Sequence, residues 1–455
     1  MTEVTVGIDI GTTSVKAIAA DGNGGVIASA RVPHPLRIDD AEELAHDIDA
    51  AWIDGVRAAY AQVSGDVDVV GVNVAAMVPS LGALTADGRA AGPGLLYGDH
   101  RGRQTGDVSG ANPVERGELV GFLAWLRENC PKAERFWPAQ ATANHALCGR
   151  AALDTTTAFT AHPMFDGAKW DIDIVAEVGV TTEQLPDIVV GVEPAGRVGG
   201  PDGPLLGGGT IDAMAEQVVA GADNDGDVLV ICGTTLITWA VLRGEEWLER
   251  PGLWTIPHTA PGKLIIGGPS NAGGLFLNWA RRLSGVPDDD VDVVRDPGNV
   301  PVWLPYVRGE RTPLHRNDLR ASLHGLNLTH TPAHVVRAAY EAAGFVVRHH
   351  LDLAGDLIAP RRLVATGGGA RVQPWVQALA DCTHLPVDVV AVPEGGALGS
   401  AFIARCVAGL DAQMGDGARW ARFGRRVEPD DTWSTAVDER YERFRELTAQ
   451  AVAPR

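Results

Sequence analysis

The sequence predicts an α/β protein of two large lobes, and three observations carry that expectation. Strand-like and helix-like segments alternate along most of the chain. A strand, a Gly-Thr-Thr turn and a returning strand occur at residues 6–18 and again at 228–242, as if one supersecondary unit had been copied within the chain. The length, 455 residues, suits two large lobes or three small domains. The copy selects two, with the boundary close to 222, giving residues 1–222 and 223–455.

The first lobe opens on three antiparallel strands. Val4-Thr5-Val6-Gly7-Ile8 and Ser14-Val15-Lys16-Ala17-Ile18 flank the first turn, and Asp21-Gly22 reverses the chain into Gly25-Val26-Ile27-Ala28. An Ala- and acid-rich helix is expected from about Ala41 to Val63, then a buried strand from Val67 to Val74 and a second Asp-Gly reversal at Asp87-Gly88. The stretch from Pro113 to about Leu185 reads as a helical, irregular insertion on the substrate side, its Trp125, Trp137 and Trp170 serving the core.

In the second lobe Val228-Leu229-Val230-Ile231-Cys232 is a buried strand and Leu236 to Leu242 its return. Thr331-Pro332 supplies an N-cap and an N1 proline for a helix running to about Leu357. Further helices are expected from Pro374 to Cys382, from Ala397 to Ala408 ending at Gly409, and in the tail from Asp431 to Val452.

Composition narrows the function. A formal net charge of −20, with no long Lys/Arg run, argues against nucleic acid or an anionic membrane as partner. A polyphosphate would have to be held by backbone N–H groups, a few local cations and a metal, since the overall field repels it. The five cysteines are widely spaced and include no C-x-x-C pair, which points to reduced thiols. The N-terminus enters a strand without a signal-peptide pattern and no apolar run approaches a membrane span, so a cytoplasmic location is expected.

The chemistry begins at Gly11-Thr12-Thr13. A tight turn between strands offers consecutive N–H groups and two hydroxyls to phosphate oxygens. Asp9, one pleat earlier, is repulsive beside a phosphate unless a cation intervenes, and so is read as holding Mg2+. Alone the hairpin would be an ordinary turn; its recurrence at Gly233-Thr234-Thr235 favours two phosphate clamps. Neither a G-x-x-x-x-G-K-[ST] string nor a G-x-G-x-x-G between strand and helix occurs. Gly367-Gly368-Gly369-Ala370, after an apolar strand, either lets an adenine or ribose approach or makes a tight turn; Gly273-Gly274 lies similarly before Asn278 and Trp279. Asp212, after the glycine run 207–209, is either the base that accepts the acceptor hydroxyl's proton or the cap of the helix that follows.

This ordered set resembles the FGGY family of carbohydrate kinases over nearly the whole chain. Gly7 to Thr13 resembles the family's first phosphate motif, Gly233-Thr234-Thr235 its second and Gly367 to Ala370 its adenosine motif. Leu304-Pro305-Tyr306-Val307-Arg308-Gly309-Glu310-Arg311-Thr312-Pro313 resembles a distinctive family string, and Asp212 falls where the family keeps its catalytic base. The resemblance implies two actin-like, ribonuclease-H-like lobes closing on ATP in a central cleft. It implies a nucleotide set of Asp9, Gly11, Thr12, Thr13, Lys16, Gly233, Thr234, Thr235, Gly274, Asn278, Gly368, Gly369 and Gln373, with Asp9 as the metal residue for Mg2+.

For the acceptor, the xylulokinase Gln-Met-His-Gly segment stands here as Ala76-Met77-Val78-Pro79, losing both polar neighbours of the methionine. The family's Trp-x-Asp-x-Arg stands as Tyr97-Gly98-Asp99-His100-Arg101. Met77, Val78, Tyr97, Asp99, Arg101 and Asp212 are the substrate candidates. Asp-His-Arg and Ile-Asp-Ala look ribulokinase-like; the length and N-terminal motif look xylulokinase-like. The expected reaction is ATP-dependent phosphorylation of a ketopentose or related polyol, D-xylulose-like first, a ribulokinase or other family kinase second. A non-catalytic actin-like ATP-binding sensor is the reading of another class. Expected partners are a small sugar or polyol and a second copy of the chain as a homodimer. Three further features are expected to be structural: His349-His350 as a polar helix face, Arg425-Arg426 as a solvated pair, and Cys232 as strand core.

Overall fold

The computed structural model describes residues 2–38, 43–97, 99–101, 118–244, 246, 248, 250–286, 294, 296–392 and 394–453. The chain forms two compact units, Met1–Val219 with Glu394–Trp420, and Ala220–Pro393 with Ala421–Arg455. The sequence suggested one division near 222. The chain also crosses back, because the helix Gly395–Val407 packs into the first unit through glycines on both partners.

The first unit is built on a sheet in the order Pro194–Arg197, Leu205–Gly207, Asp68–Ala76, Glu3–Ile10, Ser14–Ala20, Val26–Pro33, with Thr210–Ile211 also pairing Asp68–Ala76. Glu3–Ile10 runs antiparallel to its hairpin mate and parallel to Asp68–Ala76. The hairpin's inner strand is buried along nearly its whole length, as a strand covered on both faces must be. The second unit repeats this order: Leu236–Val241 and Asp227–Cys232 form the hairpin, and Arg362–Thr366 lies parallel on the far side. The duplicated unit read from the two turns is therefore present in the strand topology. Each unit has its own large apolar core.

The helices at Pro332–Ala354, Gln373–Thr383, Gly395–Val407 and Ser434–Val452 occur close to where sequence placed them. Thr331 forms a capping box and Pro332 occupies the first turn. Asp87-Gly88 reverses the chain between Ser80–Leu84 and Ala90–Leu96, with Gly88 at φ +78°. Trp137 and Trp170 are core residues. The insertion is helical and irregular in its described part, 118–185.

Several expectations change. The helix expected from Ala41 begins only at Asp49, as a π-turn that continues into Gly55–Val63. Ahead of it Leu44–His46 is a buried strand paired with Leu36–Ile38 and Ala90–Leu96, and residues 41–42 lie outside the described set. An Ala- and acid-rich composition does not reveal a three-residue strand. His350 is no part of a polar face: it is 1 % exposed and its Nε2 meets the Thr312 hydroxyl at 3.1 Å. Arg425 and Arg426 are not simply solvated, since Arg425 donates to Gln373 Oε1 and the Ala370 carbonyl, and Arg426 pairs with Asp388 and Glu428. Cys232 is strand core, and no two cysteines form a disulfide. Among the described residues no helix is long and apolar enough to cross a membrane.

Helix Gly395–Val407 lies directly on the hairpin strand. A Cβ on Gly7 would overlap the Ala397 carbonyl and the Ala401 amide, both backbone groups. Gly7→Ala is expected to lower stability by about 3 kcal/mol, because neither strand nor helix can yield. Gly65→Ala, where a Cβ meets nothing within 4 Å, should be close to neutral. Paired denaturant titrations check this, and equal midpoints for the two variants would refute the packing argument.

Candidate active site

In the first unit, register brings three chain segments level. Ile10 pairs with Ala76, and Ala76 with Ile211, all in parallel strands. Gly11, Met77 and Asp212 therefore leave the sheet together at its carboxyl edge, the edge at which α/β sheets bind ligands. Asp212 is half-buried at the head of helix Asp212–Ala220, and its Oδ1 accepts from the Ala213 N–H at 2.7 Å. That bond is a local contact to the amide of the next residue and occupies one of the carboxylate's several lone-pair sites.

The glycine run before Asp212 is pinned from two sides. Buried Gln140 donates from Nε2 to the carbonyls of Ala76 and Thr210, at 3.0 and 3.1 Å. Buried Asn73 accepts from the Gly209 N–H at 3.2 Å and donates to Ser400 Oγ at 3.2 Å. The backbone that carries Asp212 is thus held by two amides that motif reading passed over.

Lys16 Nζ lies 3.0 Å from Asp9 Oδ2, on neighbouring strands of the hairpin. The Asp9 charge, with Glu216 and Glu394 adding to it against burial, raises the Lys16 pKa, so Lys16 is a cation at neutral pH. Asp9 is 5 % exposed, and a Cβ on Gly396 would stand 3.0 Å from its carboxyl carbon, so glycine there leaves a small open space against the carboxylate. The donor chemistry fits a hard cation: one carboxylate suffices for Mg2+ when its other ligands are water and substrate phosphate. Among the described residues no group of three or more His, Cys, Asp or Glu is placed to enclose a metal.

Thr12 is buried with its hydroxyl 3.0 Å from Tyr97 Oη, while Thr13 is exposed. Met77 belongs to the core at 2 % exposure, and Val78 is half-buried. Asp99 is fully buried. Its Oδ1 accepts from the Arg101 N–H and Nε, its Oδ2 from the Leu44 N–H and Arg101 Nη2, so its oxygens serve to hold Arg101. Glu43 also pairs with Arg101 at 2.9 Å, and the guanidinium sits 5.0 Å from the Trp125 ring. Gly98, between Tyr97 and Asp99, is outside the described residues.

The second unit shows its own carboxyl edge. Ile231 pairs with Thr366, so the Gly233 turn and Gly367 emerge side by side, with Gly367 at φ +83°. The helix Gly274–Ser284 starts on the turn: Gly274 and Leu275 donate to the carbonyls of Gly233 and Thr234, at 2.8 and 3.0 Å. Thr234 and Thr235 are half-buried, and Asn278 is exposed on the same helix. Gly368 is exposed with open space where a Cβ would be, whereas Gly369 lies against the Trp375 ring. Gln373 is held through Oε1 by Arg425 at 3.0 Å. The Leu304–Pro313 string is a structural strap: Glu310, buried, accepts from Asn271 N, Arg311 N and Ser270 Oγ, and burial raises its pKa to about 7.

Two histidines escaped the sequence reading. His46 Nε2 lies 2.8 Å from the Thr12 carbonyl and His34 Nε2 3.1 Å from the Gly11 carbonyl. The only sequence signal for His46 was its place in a short apolar run, hidden inside the expected helix. Burial, helped by the neighbouring His34, lowers the His46 pKa to about 4. Between about pH 6.5 and pH 4 the unfolded chain binds a proton there that the folded chain refuses, so this contribution to stability is lost as pH falls through that window. His46→Gln should flatten the pH dependence by on the order of 2–3 kcal/mol across it. Stability measured at several pH values for both proteins checks this; parallel curves would contradict it.

Residues 228–408 match the model for the FGGY family of carbohydrate kinases, C-terminal domain. The chain is 26% identical over 485 residues to the xylulose kinase of Escherichia coli (strain K12), covering 98% of each. It is 26% identical over 460 residues to the gluconokinase of Bacillus subtilis (strain 168), covering 90% of this chain and 88% of that protein. The crystal structure of xylulose kinase from Rhodospirillum rubrum superposes with a TM-score of 0.76 at 26% identity, over 98% of both chains. That of gluconate kinase from Lactobacillus acidophilus gives 0.79 at 19% identity, over 100% of this chain and 99% of that one. The fold is the two-lobed, actin-like and ribonuclease-H-like one.

Proposed function

We propose that this chain is a member of the FGGY family of carbohydrate kinases and transfers the γ-phosphoryl group of ATP to a hydroxyl of a ketopentose or closely related sugar or polyol, D-xylulose-like first. The observation that carries the reading is the level emergence of Gly11, Met77 and Asp212 from three parallel strands, which brings the Gly11–Thr13 turn and Asp212 to the same edge of the sheet. Asp212 accepts the proton as the substrate oxygen attacks the γ-phosphorus and the bond to the β–γ bridging oxygen breaks. Gly11, Thr12 and Thr13 supply N–H and hydroxyl donors, and Lys16 a cation, to the phosphates. Asp9 holds Mg2+, which when bound offsets charge on the phosphoryl oxygens.

In the second unit, Gly233, Thr234 and Thr235 are assigned to phosphate, and Gly274, Asn278, Gly368, Gly369 and Gln373 to the nucleoside. Arg101, fixed by Asp99, Glu43 and Trp125, is the sugar contact with the most rigid support, beside Tyr97 and Val78. The order ketose before aldonate rests on the chain length and the N-terminal motif, since xylulose kinase and gluconokinase are equally similar in sequence, at 26% identity each.

Sugar-dependent ADP release is to be measured across ketopentoses, tetruloses, polyols and gluconate. Turnover is expected to be greatest on a ketopentose, and Asp212→Asn should cost about 10²- to 10⁴-fold in kcat. Nucleotide binding with no ADP release on any acceptor would overturn the kinase reading, and full turnover by the Asp212 variant would overturn the assignment of the base.

A further inference from the structure

We propose that His46 and His34 are positioning residues for the first phosphate turn: they hold the carbonyls of Thr12 and Gly11 inward, so that the amide N–H groups face a nucleotide phosphate. The inference rests on the reading of Gly11–Thr13 as a phosphate turn and explains how that turn keeps its shape.

All three carbonyls of the turn are taken. Gly11 O meets His34 Nε2 at 3.1 Å, Thr12 O meets His46 Nε2 at 2.8 Å, and Thr13 O accepts from the His34 backbone N–H at 3.0 Å. The N–H groups of Thr12 and Thr13 have no acceptor among the described residues. A peptide whose carbonyl is fastened on one side turns its N–H to the other, and consecutive N–H groups so turned make an anion-binding concavity.

The tautomer of His46 is set by its surroundings. Trp52 Nε1–H, which can only donate, lies 2.9 Å from His46 Nδ1; the imidazole proton is therefore on Nε2, facing the Thr12 carbonyl. His46 and Trp52 are fully buried and His34 nearly so, and the two imidazoles meet edge to face at 4.5 Å. Burial lowers both histidine pKa values, so each ring is neutral at neutral pH. The second unit reaches the same end by other means: its turn carbonyls accept from Gly274 N, Leu275 N and Gly233 N. Inward capture of the carbonyls is thus common to both copies, while the histidines are particular to the first.

The test is calorimetric binding of ADP to the full chain, with steady-state kinetics alongside. His46→Leu leaves the Thr12 carbonyl without its donor and should weaken ADP by about tenfold, the effect of one buried polar group left unpaired. KM for ATP should rise, while kcat at saturating ATP and KM for the sugar stay within about threefold. His46→Gln, which keeps an N–H at similar reach, should restore most of the affinity; a residue that only fills space would be served as well by leucine. Should His46→Leu not fold, Trp52→Phe carries the test, since it frees the His46 tautomer and should weaken ADP several-fold. Lys16→Ala separates this inference from the reading beneath it. Weakened ADP in Lys16→Ala with unchanged ADP in folded His46→Leu, or in Trp52→Phe, overturns the histidine role alone. Unchanged ADP in Lys16→Ala as well overturns the phosphate turn itself.

Discussion

The first unit depends on the close approach of helix Gly395–Val407 to the central sheet. Gly7 and Gly71 on neighbouring parallel strands leave room for the backbone at Ala397–Ala401 and Ala404, and Gly399 does the same toward Ala215 on the helix that starts at Asp212. Contact at backbone distance is rigid, because no side chain is present to change rotamer. One helix therefore fixes the strand that carries Asp9, the strand that ends before Met77 and the helix headed by Asp212. Asn73 to Ser400 adds a buried polar tie at the same interface. This also explains why a segment late in sequence belongs to the earlier unit.

The two copies of the hairpin show which features of the turn are structural necessities. Both sit between an antiparallel mate and a parallel strand, and both fasten their carbonyls away from the exposed side. A helix N-terminus does this in the second copy, with N–H groups that would otherwise be unsatisfied. In the first copy no helix begins there, and side chains from the strands Val26–Pro33 and Leu44–His46 and the residues just beyond them supply the donors. Divergence between copies has fallen on the means of support while the supported geometry is kept.

Much of this was legible in sequence because the signals are local. The Gly-Thr-Thr turns, the apolar strands beside them and the Thr331-Pro332 start each act within a few residues. The level register at the carboxyl edge was not legible, since it depends on which strands pair. The strand Leu44–His46 was hidden for the same reason: its identity comes from Ala90–Leu96, about fifty residues later, and local composition there favours a helix. Side-chain networks were least visible. Arg425 finds Gln373 and Ala370, and Arg101 finds Glu43 and Trp125, by folding alone. The polar residues of the Leu304–Pro313 string were recognisable as a pattern, yet what Glu310 and Thr312 do is brace Asn271, Ser270 and Pro269 from within.

Charge gives the last constraint on the chemistry. The chain carries a net charge of −20, and near the first turn the Lys16 ammonium feels the carboxylates of Asp9, Glu216 and Glu394. One ammonium cannot by itself balance three carboxylates, and two of the three, Asp9 and Glu216, are buried, where screening by salt is weak. A polyphosphate bound there would meet repulsion that Lys16 cannot cancel. Directed N–H groups reduce this, since they act at contact distance while the carboxylates act from further away. What they leave uncancelled is a case for the nucleotide arriving with its own divalent cation, and it gives Asp9, the carboxylate nearest the turn, a reason to remain where a purely anion-binding turn would have no use for it.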